Sequence, residues 1–140
     1  MIARTYHWKF KVRETHLDTF GHMNHAKYLE IFEQARWELI NEGGYGLKKI
    51  KETQIGPTIL EAKIQYRREL LLHDEVTVES ICTEYNGKLG KVYQRMINSA
   101  GKESANLEIV VGLFDMTARK LIEPTPEWKA ALGIKDEAET

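Results

Sequence analysis

The sequence has very little cysteine and no excess of charge of either sign. Cys82 is the only cysteine, so no internal disulfide can form, and this usage is typical of a reducing compartment. Twenty Lys and Arg residues are balanced by 21 Asp and Glu residues, so the chain lacks the positive field that attracts nucleic acid. The first residues, MIARTYHWKFK, lack the apolar run of a signal peptide. We therefore expect a cytoplasmic protein without a nucleic-acid partner.

Long apolar runs are also missing. The longest strongly apolar run, Ile109 to Phe114, is far shorter than the roughly 20 residues that a membrane-spanning helix requires, so we expect a soluble protein with no membrane partner. A chain of 140 residues suits one domain and can bury roughly two-thirds of its unfolded surface. Residues 1–134 are predicted to form this domain, and the charged residues 135–140 are predicted to be a disordered tail.

A polar loop that runs directly into a strongly helical segment is the most informative stretch present, ETHLDTFGHMNHAKYLEIFEQARWELI at residues 14–40. Apolar residues recur at helical spacing from Tyr28 to Ile40, which predicts a buried helix. Asn24 stands where an N-cap is expected, and Gly43-Gly44 predict the helix end. The loop is therefore held against a helix N-terminus, where unpaired N–H groups and the helix dipole favour a developing negative charge.

The rest of the chain is rich in strand signals. Alternating apolar and polar residues from Tyr6 to Val12 predict a first strand. A short helix or a loop is expected at Tyr45–Gln54, and a final helical turn or two at Thr125–Leu132. Segments rich in Ile, Val, Thr and Tyr predict four more strands, at Thr58–Leu70, Glu75–Tyr85, Lys91–Asn98 and Ala105–Met116.

Short connections between the last four strands favour antiparallel neighbours. One strand, a long buried helix and then four strands predict an α+β domain. In this arrangement, the hotdog fold, a mainly antiparallel five-stranded sheet wraps around the long central helix. Its edge strands and the strand Ile109–Phe114, which is apolar on both faces, need cover that a second subunit would provide. We therefore expect at least a homodimer.

The loop and helix resemble the signature of hotdog acyl-CoA thioesterases of the 4-hydroxybenzoyl-CoA thioesterase family. The matching features are Asp18-Thr19, Gly21-His22, Asn24, Tyr28-Leu29, Phe32-Glu33 and Ala35-Arg36. IQYRRELLLHDEVTVES is similar to the second and third strands of the family and LFDMTARKLIEPTPEW to its last hairpin, so the resemblance covers nearly the whole chain. One branch of the family carries Asn where His25 stands, and another carries His there but Tyr in place of Glu14, so this sequence mixes two subfamily patterns.

The resemblance implies an acyl-CoA thioesterase that needs no cofactor, because coenzyme A is part of the substrate. It also implies sites built between subunits of a homodimer or homotetramer. The acyl chain, aromatic or aliphatic, is left open.

Thioester hydrolysis needs a base or nucleophile and an oxyanion stabiliser, because a thiolate leaves without much help from an acid. Asp18 is the predicted base or nucleophile, and the backbone N–H groups of His25 and Ala26 are the predicted oxyanion donors. The His25 ring is a second catalytic candidate. The alternatives are a turn-forming role for Asp18, a capping role for Asn24 and a backbone hydrogen bond for His22.

Substrate contacts are predicted for His22, Asn24 and Tyr28. The phosphates of coenzyme A require basic residues near the site, and the candidates lie around two turns: Lys88, Lys91, Arg119 and Lys120. Arg67-Arg68 is a weaker candidate, because neighbouring side chains on a strand point to opposite faces.

Three other functions are alternatives for this sequence. A metal site at His16, Asp18, His22 and His25 is disfavoured because the spacing matches no common zinc motif and thioester chemistry needs no metal. A hotdog enoyl-CoA hydratase would carry D-x-N-x-x-H, and neither His22 nor His25 lies five residues after Asp18. A non-catalytic module that binds acyl-CoA or acyl-carrier protein would use the same pocket without needing Asp18.

Overall fold

The structure, a computed structural model, describes residues 1–135. Its long helix, α1, spans His25–Glu42, and two shorter helices, α2 and α3, span Leu47–Thr53 and Pro126–Ala131. A 3₁₀ turn at Glu14–His16 precedes α1. The strands are β1 Ile2–Ala3, β2 Tyr6–Lys11, β3 Ile55–Tyr66, β4 Glu75–Asn86, β5 Leu89–Asn98, β6 Glu103–Asp115, β7 Lys120–Ile122 and β8 Ile134–Lys135.

The main sheet has the strand order β2-β4-β5-β6-β3, and every pair is antiparallel. These are the five predicted strands, so the predicted α+β hotdog architecture is confirmed. The short strand β7 adds to the end of β6, and β1 pairs with β8 in a separate ribbon. The β6–β7 pair is the last hairpin that the family resemblance implies, whereas β1 and β8 were not among the predicted strands. None of the helices within residues 1–135 combines the length and the apolar character that a membrane crossing requires.

Most predicted boundaries shift by one to three residues, and two further differences change the interpretation of the chain. The second predicted strand ends at Tyr66 and not at Leu70, because the backbone N–H groups of Arg67 and Arg68 both donate to the Ser104 carbonyl, at 2.9 and 3.1 Å, and end the regular ladder. The predicted tail starts at Lys135, whose backbone pairs with Ile2 in the β1–β8 ribbon. Residues 136–140 of that tail lie outside the described residues.

Helix α1 begins and ends where its caps predict. The Asn24 side-chain oxygen accepts a hydrogen bond of 2.8 Å from the Ala26 backbone N–H, so the predicted N-cap is confirmed. At the other end Gly44 has a φ of +86°, the left-handed conformation that favours glycine. A Cβ added at Gly43 would lie 2.5 Å from the Ala131 Cα, so only glycine allows the close approach of α3 to the end of α1.

A buried glutamine joins α1 to the sheet. Gln94 of β5 is fully buried, and its Nε2 group donates to the Phe32 carbonyl at 3.0 Å and to Ser80 Oγ at 2.9 Å. Its Oε1 atom accepts a bond of 2.9 Å from the Arg36 guanidinium. Since buried polar groups are costly without partners, this network fixes the position of α1 on β4 and β5. Burial lowers the pKa of Arg36.

Strand β3 forms one edge of the main sheet and presents apolar side chains to solvent. Ile59, Leu60 and Tyr66 are 44%, 49% and 47% exposed. A register shift between Ile59 and Glu61 places a bulge at Leu60. An exposed apolar edge of this kind is open to pairing with another strand.

Candidate active site

The loop ahead of α1 holds the Asp18 carboxylate by one of its two oxygens. Asp18 Oδ1 accepts backbone N–H bonds from Phe20 at 2.9 Å and from His22 at 3.2 Å. Between them Gly21 has a φ of +86°, which closes the turn. Asp18 Oδ2 has no hydrogen-bond partner among residues 1–135. Asp18 therefore forms the turn that was the alternative to a catalytic role, and its second carboxylate oxygen stays available for chemistry.

The backbone N–H groups of His25 and Ala26 were the two predicted oxyanion donors, and only one of them is unpaired in the first turn of α1. The N–H of Ala26 is engaged by the Asn24 side chain, and that of Lys27 donates to the Asn24 carbonyl at 2.9 Å. Within the described part of the chain, the N–H of His25 has no acceptor. The N–H of His25 is therefore the donor that stays unpaired at this helix end, where the helix dipole favours negative charge.

Asp18 and His25 line one open groove of about 360 Å³. Tyr28 and Tyr66 form a wall of this groove, with ring centroids 5.1 Å apart in an edge-to-face contact. Burial raises the pKa of both tyrosines, and for Tyr28 the neighbouring Tyr66 adds to the effect. Both phenols therefore remain protonated at neutral pH, and the Tyr66 hydroxyl donates to the His25 carbonyl at 2.9 Å.

A family model decides how this groove is interpreted. The model of the thioesterase-like superfamily matches residues 12–132, which include the Asp18 loop and all of α1. The chain belongs to this superfamily. The sequence-based identification of a hotdog-fold acyl-CoA thioesterase is confirmed at this level, and so is its status as an enzyme. Membership of the 4-hydroxybenzoyl-CoA thioesterase family in particular stays a prediction.

Individual relatives agree with this assignment. The chain is 31% identical to "Long-chain acyl-CoA thioesterase FadM" of Escherichia coli (strain K12) over 115 residues, which are 81% of this chain and 86% of the relative. It superimposes with a TM-score of 0.81 on the crystal structure of YbaW, a probable thioesterase from Escherichia coli, at 29% identity, covering 92% of this chain and 98% of that one. The SAV2348 protein of Staphylococcus aureus, solved in complex with CoA, has the same fold at a TM-score of 0.86 and 21% identity, with 94% and 83% of the two chains covered.

The histidines of the thioesterase loop have separate partners. His22 Nε2 lies 3.0 Å from a Glu69 carboxylate oxygen. His16 Nδ1 accepts the Arg13 backbone N–H at 3.0 Å, and burial lowers the pKa of His16. The side chain of His25 is exposed. In the part of the chain that the structure describes, His, Cys, Asp and Glu side chains form no group of three or more that could hold a metal ion.

The four basic residues that were predicted to bind coenzyme A do not meet the groove within one subunit. On β6, Ala105 lies opposite Tyr66 of the groove, and Asp115 lies opposite Lys120. These positions are about 30 Å apart at roughly 3.3 Å per residue. Lys88 and Lys91 lie in the β4–β5 hairpin, and Arg119 lies in the turn between β6 and β7. Lys91 pairs with Glu84 at 3.4 Å, and the Arg119 guanidinium covers the Phe114 ring. Their role in CoA binding stays a prediction.

Arg67 and Arg68 lie at the groove, although the strand pattern made them weak candidates. The strand ends at Tyr66, so the alternation that would send these side chains to opposite faces stops before them. Arg67 is paired with Glu103 at 3.2 Å. The Arg68 guanidinium has no partner among residues 1–135, so it is the cation of the groove that remains available to an anion. The sequence does not show where the strand ends, and the only sequence signal for a cation at the groove was the adjacent pair Arg67-Arg68.

Proposed function

We propose that this thioesterase hydrolyses acyl-CoA thioesters with Asp18 as base or nucleophile and the His25 N–H as oxyanion donor. The observation that carries the proposal is the groove itself, which combines an Asp18 oxygen outside the turn with an unpaired backbone donor at a helix N-terminus. A carboxylate and an unpaired N–H in one groove are the two groups that thioester hydrolysis requires.

The chemistry follows from the positions of these groups. Asp18 either attacks the acyl carbonyl or removes a proton from a water that attacks it. The carbonyl oxygen becomes an oxyanion, which the His25 N–H and the dipole of α1 stabilise. The carbon–sulfur bond then breaks and the thiolate of coenzyme A leaves. In the general-base route the thiolate takes up the proton that Asp18 removed from the water. In the nucleophilic route the acyl group stays on the Asp18 carboxylate as an anhydride, and a water then hydrolyses this anhydride, frees the acid and Asp18, and supplies the proton of the thiol. Water therefore supplies the elements that separate a thioester into a carboxylic acid and a thiol.

The substrate class is supported by what related proteins bind or hydrolyse. The name of FadM states a long-chain acyl-CoA substrate, and the SAV2348 structure holds CoA. We infer an acyl-CoA substrate for this chain as well. The groove is open to solvent beside Arg68, which suits a substrate whose large phosphorylated part stays outside the protein.

We also propose that two copies pair through the β3 edge. Antiparallel pairing about the middle of β3 would set the Tyr66 end of one subunit beside the Ile55 end of the other. Asp115 lies opposite Ile55 on one side and opposite Lys120 on the other. The partner's Arg119 and the partner's Lys120 would then approach the Asp18 groove, and the basic residues that are remote within one chain would serve the site of its neighbour.

The test of the proposed function is turnover by an Asp18→Asn variant. Asparagine keeps the Oδ1 acceptor of the turn but removes the negative charge, so acyl-CoA hydrolysis should fall by at least about 10²-fold. The matched control is Asp74→Asn, because Asp74 also holds a turn, accepting the Leu71 N–H at 2.8 Å, and this variant should retain its activity. An Asp18→Asn enzyme with more than about a tenth of the parent rate would be inconsistent with general-base or nucleophilic catalysis by Asp18.

A further inference from the structure

A second cavity lies between the C-terminal half of α1 and the sheet. Its volume is about 230 Å³. Charged residues, Glu33 and Arg36, stand on its α1 side, and the Arg36 guanidinium is held by Gln94. The opposite walls are apolar and come from β5, β6, α3 and the residue after α3, namely Val92, Ile109, Val111, Trp128 and Leu132. The catalytic chemistry proposed above does not use this cavity.

The cavity and the Asp18 groove lie along the same seam of the fold. Helix α1 runs antiparallel to β3. Tyr28 near the start of α1 contacts Tyr66 at the end of β3, whereas Ile40 near the end of α1 and Pro57 near the start of β3 both line the cavity. From His25, the proposed oxyanion donor, to Glu33 the helix rises about 12 Å at 1.5 Å per residue.

Apolar side chains line the interval between the groove and the cavity. Leu29 is four residues before Glu33 and therefore lies on the same helix face, where it is 41% exposed. Across the seam Ile64 is half-buried and Ile59, which also lines the cavity, is 44% exposed. A thioester carbonyl at His25 could thus extend a hydrocarbon chain along an apolar path that ends in the cavity.

We propose that the acyl chain of the substrate follows this seam and that its distal carbons fill the cavity. This inference rests on the proposed acyl-CoA hydrolysis and assigns its substrate class. An extended chain advances about 1.2 Å per bond, so about ten carbons reach from His25 to the cavity. The cavity holds about seven or eight methylene-sized groups, if each occupies about 30 Å³ as a water molecule does. The seam and the cavity together hold about 16 to 18 carbons. The site therefore suits unbranched acyl chains of about that length.

Chain-length dependence of kcat/KM tests the proposal on the parent enzyme. Straight-chain acyl-CoA thioesters from butanoyl to octadecanoyl are assayed below their micelle concentrations. Beyond about ten carbons, kcat/KM should rise about fourfold per methylene, the equivalent of about 0.8 kcal/mol for each buried CH₂. The rise should be shallower for shorter chains, which stay in the half-open seam.

A filled cavity should abolish this rise. Val111 projects into the cavity from β6, and Val78 of β4 lines a different groove on the other side of α1; they are 3% and 1% exposed. Val111→Phe should lower the ratio of kcat/KM for hexadecanoyl-CoA to that for octanoyl-CoA by at least about tenfold, since two or more methylenes lose their place. Val78→Phe, the matched overpacking control, should leave the ratio unchanged. Because both substrates meet the same enzyme molecules, a partly unfolded sample cannot change this ratio.

A second pair of variants serves if Val111→Phe does not fold. Trp37 forms part of the cavity wall, whereas Trp8 lies at the groove on the other side, and both are half-buried. Trp37→Ala should lower the same ratio and Trp8→Ala should not. Equal effects in each pair, or a parent profile without a rise beyond about ten carbons, would overturn the acyl site while leaving acyl-CoA hydrolysis intact. Absence of hydrolysis for every chain length would instead refute the proposed function.

Discussion

The hydroxyl group of Tyr66 donates a hydrogen bond of 2.9 Å to the backbone carbonyl of His25. It joins the last residue of β3 to the first residue of α1, the residue whose N–H we assign to the oxyanion. The Tyr66 ring is also held by its edge-to-face contact with Tyr28. Tyr66 is therefore a positioning residue that fixes the helix N-terminus relative to the sheet.

Tyr66→Phe should lower kcat by about 2- to 10-fold, the effect of one ordinary hydrogen bond, with little change in KM. The phenylalanine ring keeps the contact with Tyr28, so the loss reports the bond to His25 and not the packing. Tyr93→Phe, which removes a hydroxyl from β5, is the control and should retain the parent kcat. Steady-state kinetics decide the matter, and an unchanged kcat in Tyr66→Phe would remove the positioning role.

Substitution of His25 by alanine and by proline separates its backbone from its ring. Alanine keeps the N–H and should cost less than about tenfold in kcat, whereas proline deletes the N–H and should cost about 10²- to 10³-fold. Proline suits the first position of a helix, so far-UV circular dichroism should show an intact α1. If the two variants lose turnover equally, the N–H of His25 is not the donor, and the His25 ring becomes the better candidate.

Charge on the β3 edge should separate the proposed dimer. Leu60→Lys places a cation at the exposed bulge of this edge, so light scattering at micromolar concentration should change from a dimeric to a monomeric mass. Activity should fall with it, because the partner's basic residues leave the groove. Leu47→Lys alters another exposed leucine, on α2 and outside the sheet, and should remain dimeric. A parent protein that is monomeric and fully active would contradict the assembly.

The Glu79–Arg95 pair on the outer sheet face should make stability depend on acid pH. Arg95 donates to Glu79 at 2.7 and 3.2 Å, and this hydrogen bonding lowers the pKa of Glu79 below its ordinary value of 4.5. A lowered pKa in the folded state means that the stabilisation is present above pH 4.5 and is lost as the pH falls through the lowered value.

The corresponding variant is Glu79→Gln. Its free energy of unfolding should be about 0.5–1 kcal/mol below that of the parent at pH 7, the range of a solvent-screened pair, and the difference should vanish in strong acid. Urea titrations at a series of pH values measure it. Glu75→Gln is the control, because Glu75 is 75% exposed in a pair of 3.8 Å, and it should change stability little at any pH. A difference for Glu79→Gln that does not depend on pH would assign the effect to packing.

Local patterns predicted the long helix and the turn ahead of it, because their determinants lie close together in the chain. Asn24 caps the residues that directly follow it, and the Asp18 turn closes within four residues. The pairing of Ile2 with Lys135 was not predictable in the same way. Strands of two residues carry no periodicity, and their partners are separated by almost the whole sequence.

The site was predictable only where it is local. The predicted cap allows the Asn24 side chain to accept from the N–H of Ala26 or of Lys27, and residue types do not decide which of these N–H groups stays available to an oxyanion. The basic candidates were chosen for their positions in turns, but sheet register decides which end of the molecule a turn occupies. The β6–β7 register places Lys120 beside Asp115, at the end of the sheet remote from the groove. Arg68 lies at the groove because β3 ends at Tyr66, earlier than predicted.

The position of β6 has a consequence for amide hydrogen exchange. Leu107 of β6 faces Ile64 of β3 on one edge and Gln94 of β5 on the other, so its backbone is held by neighbours on both edges. Local fraying can release β2, and also β3 wherever its edge is not paired with a second subunit, but it cannot expose a strand bonded on two sides. The slowest-exchanging protons of the domain should therefore be those of the inner strands β4, β5 and β6, and their protection factors should report its global free energy of unfolding.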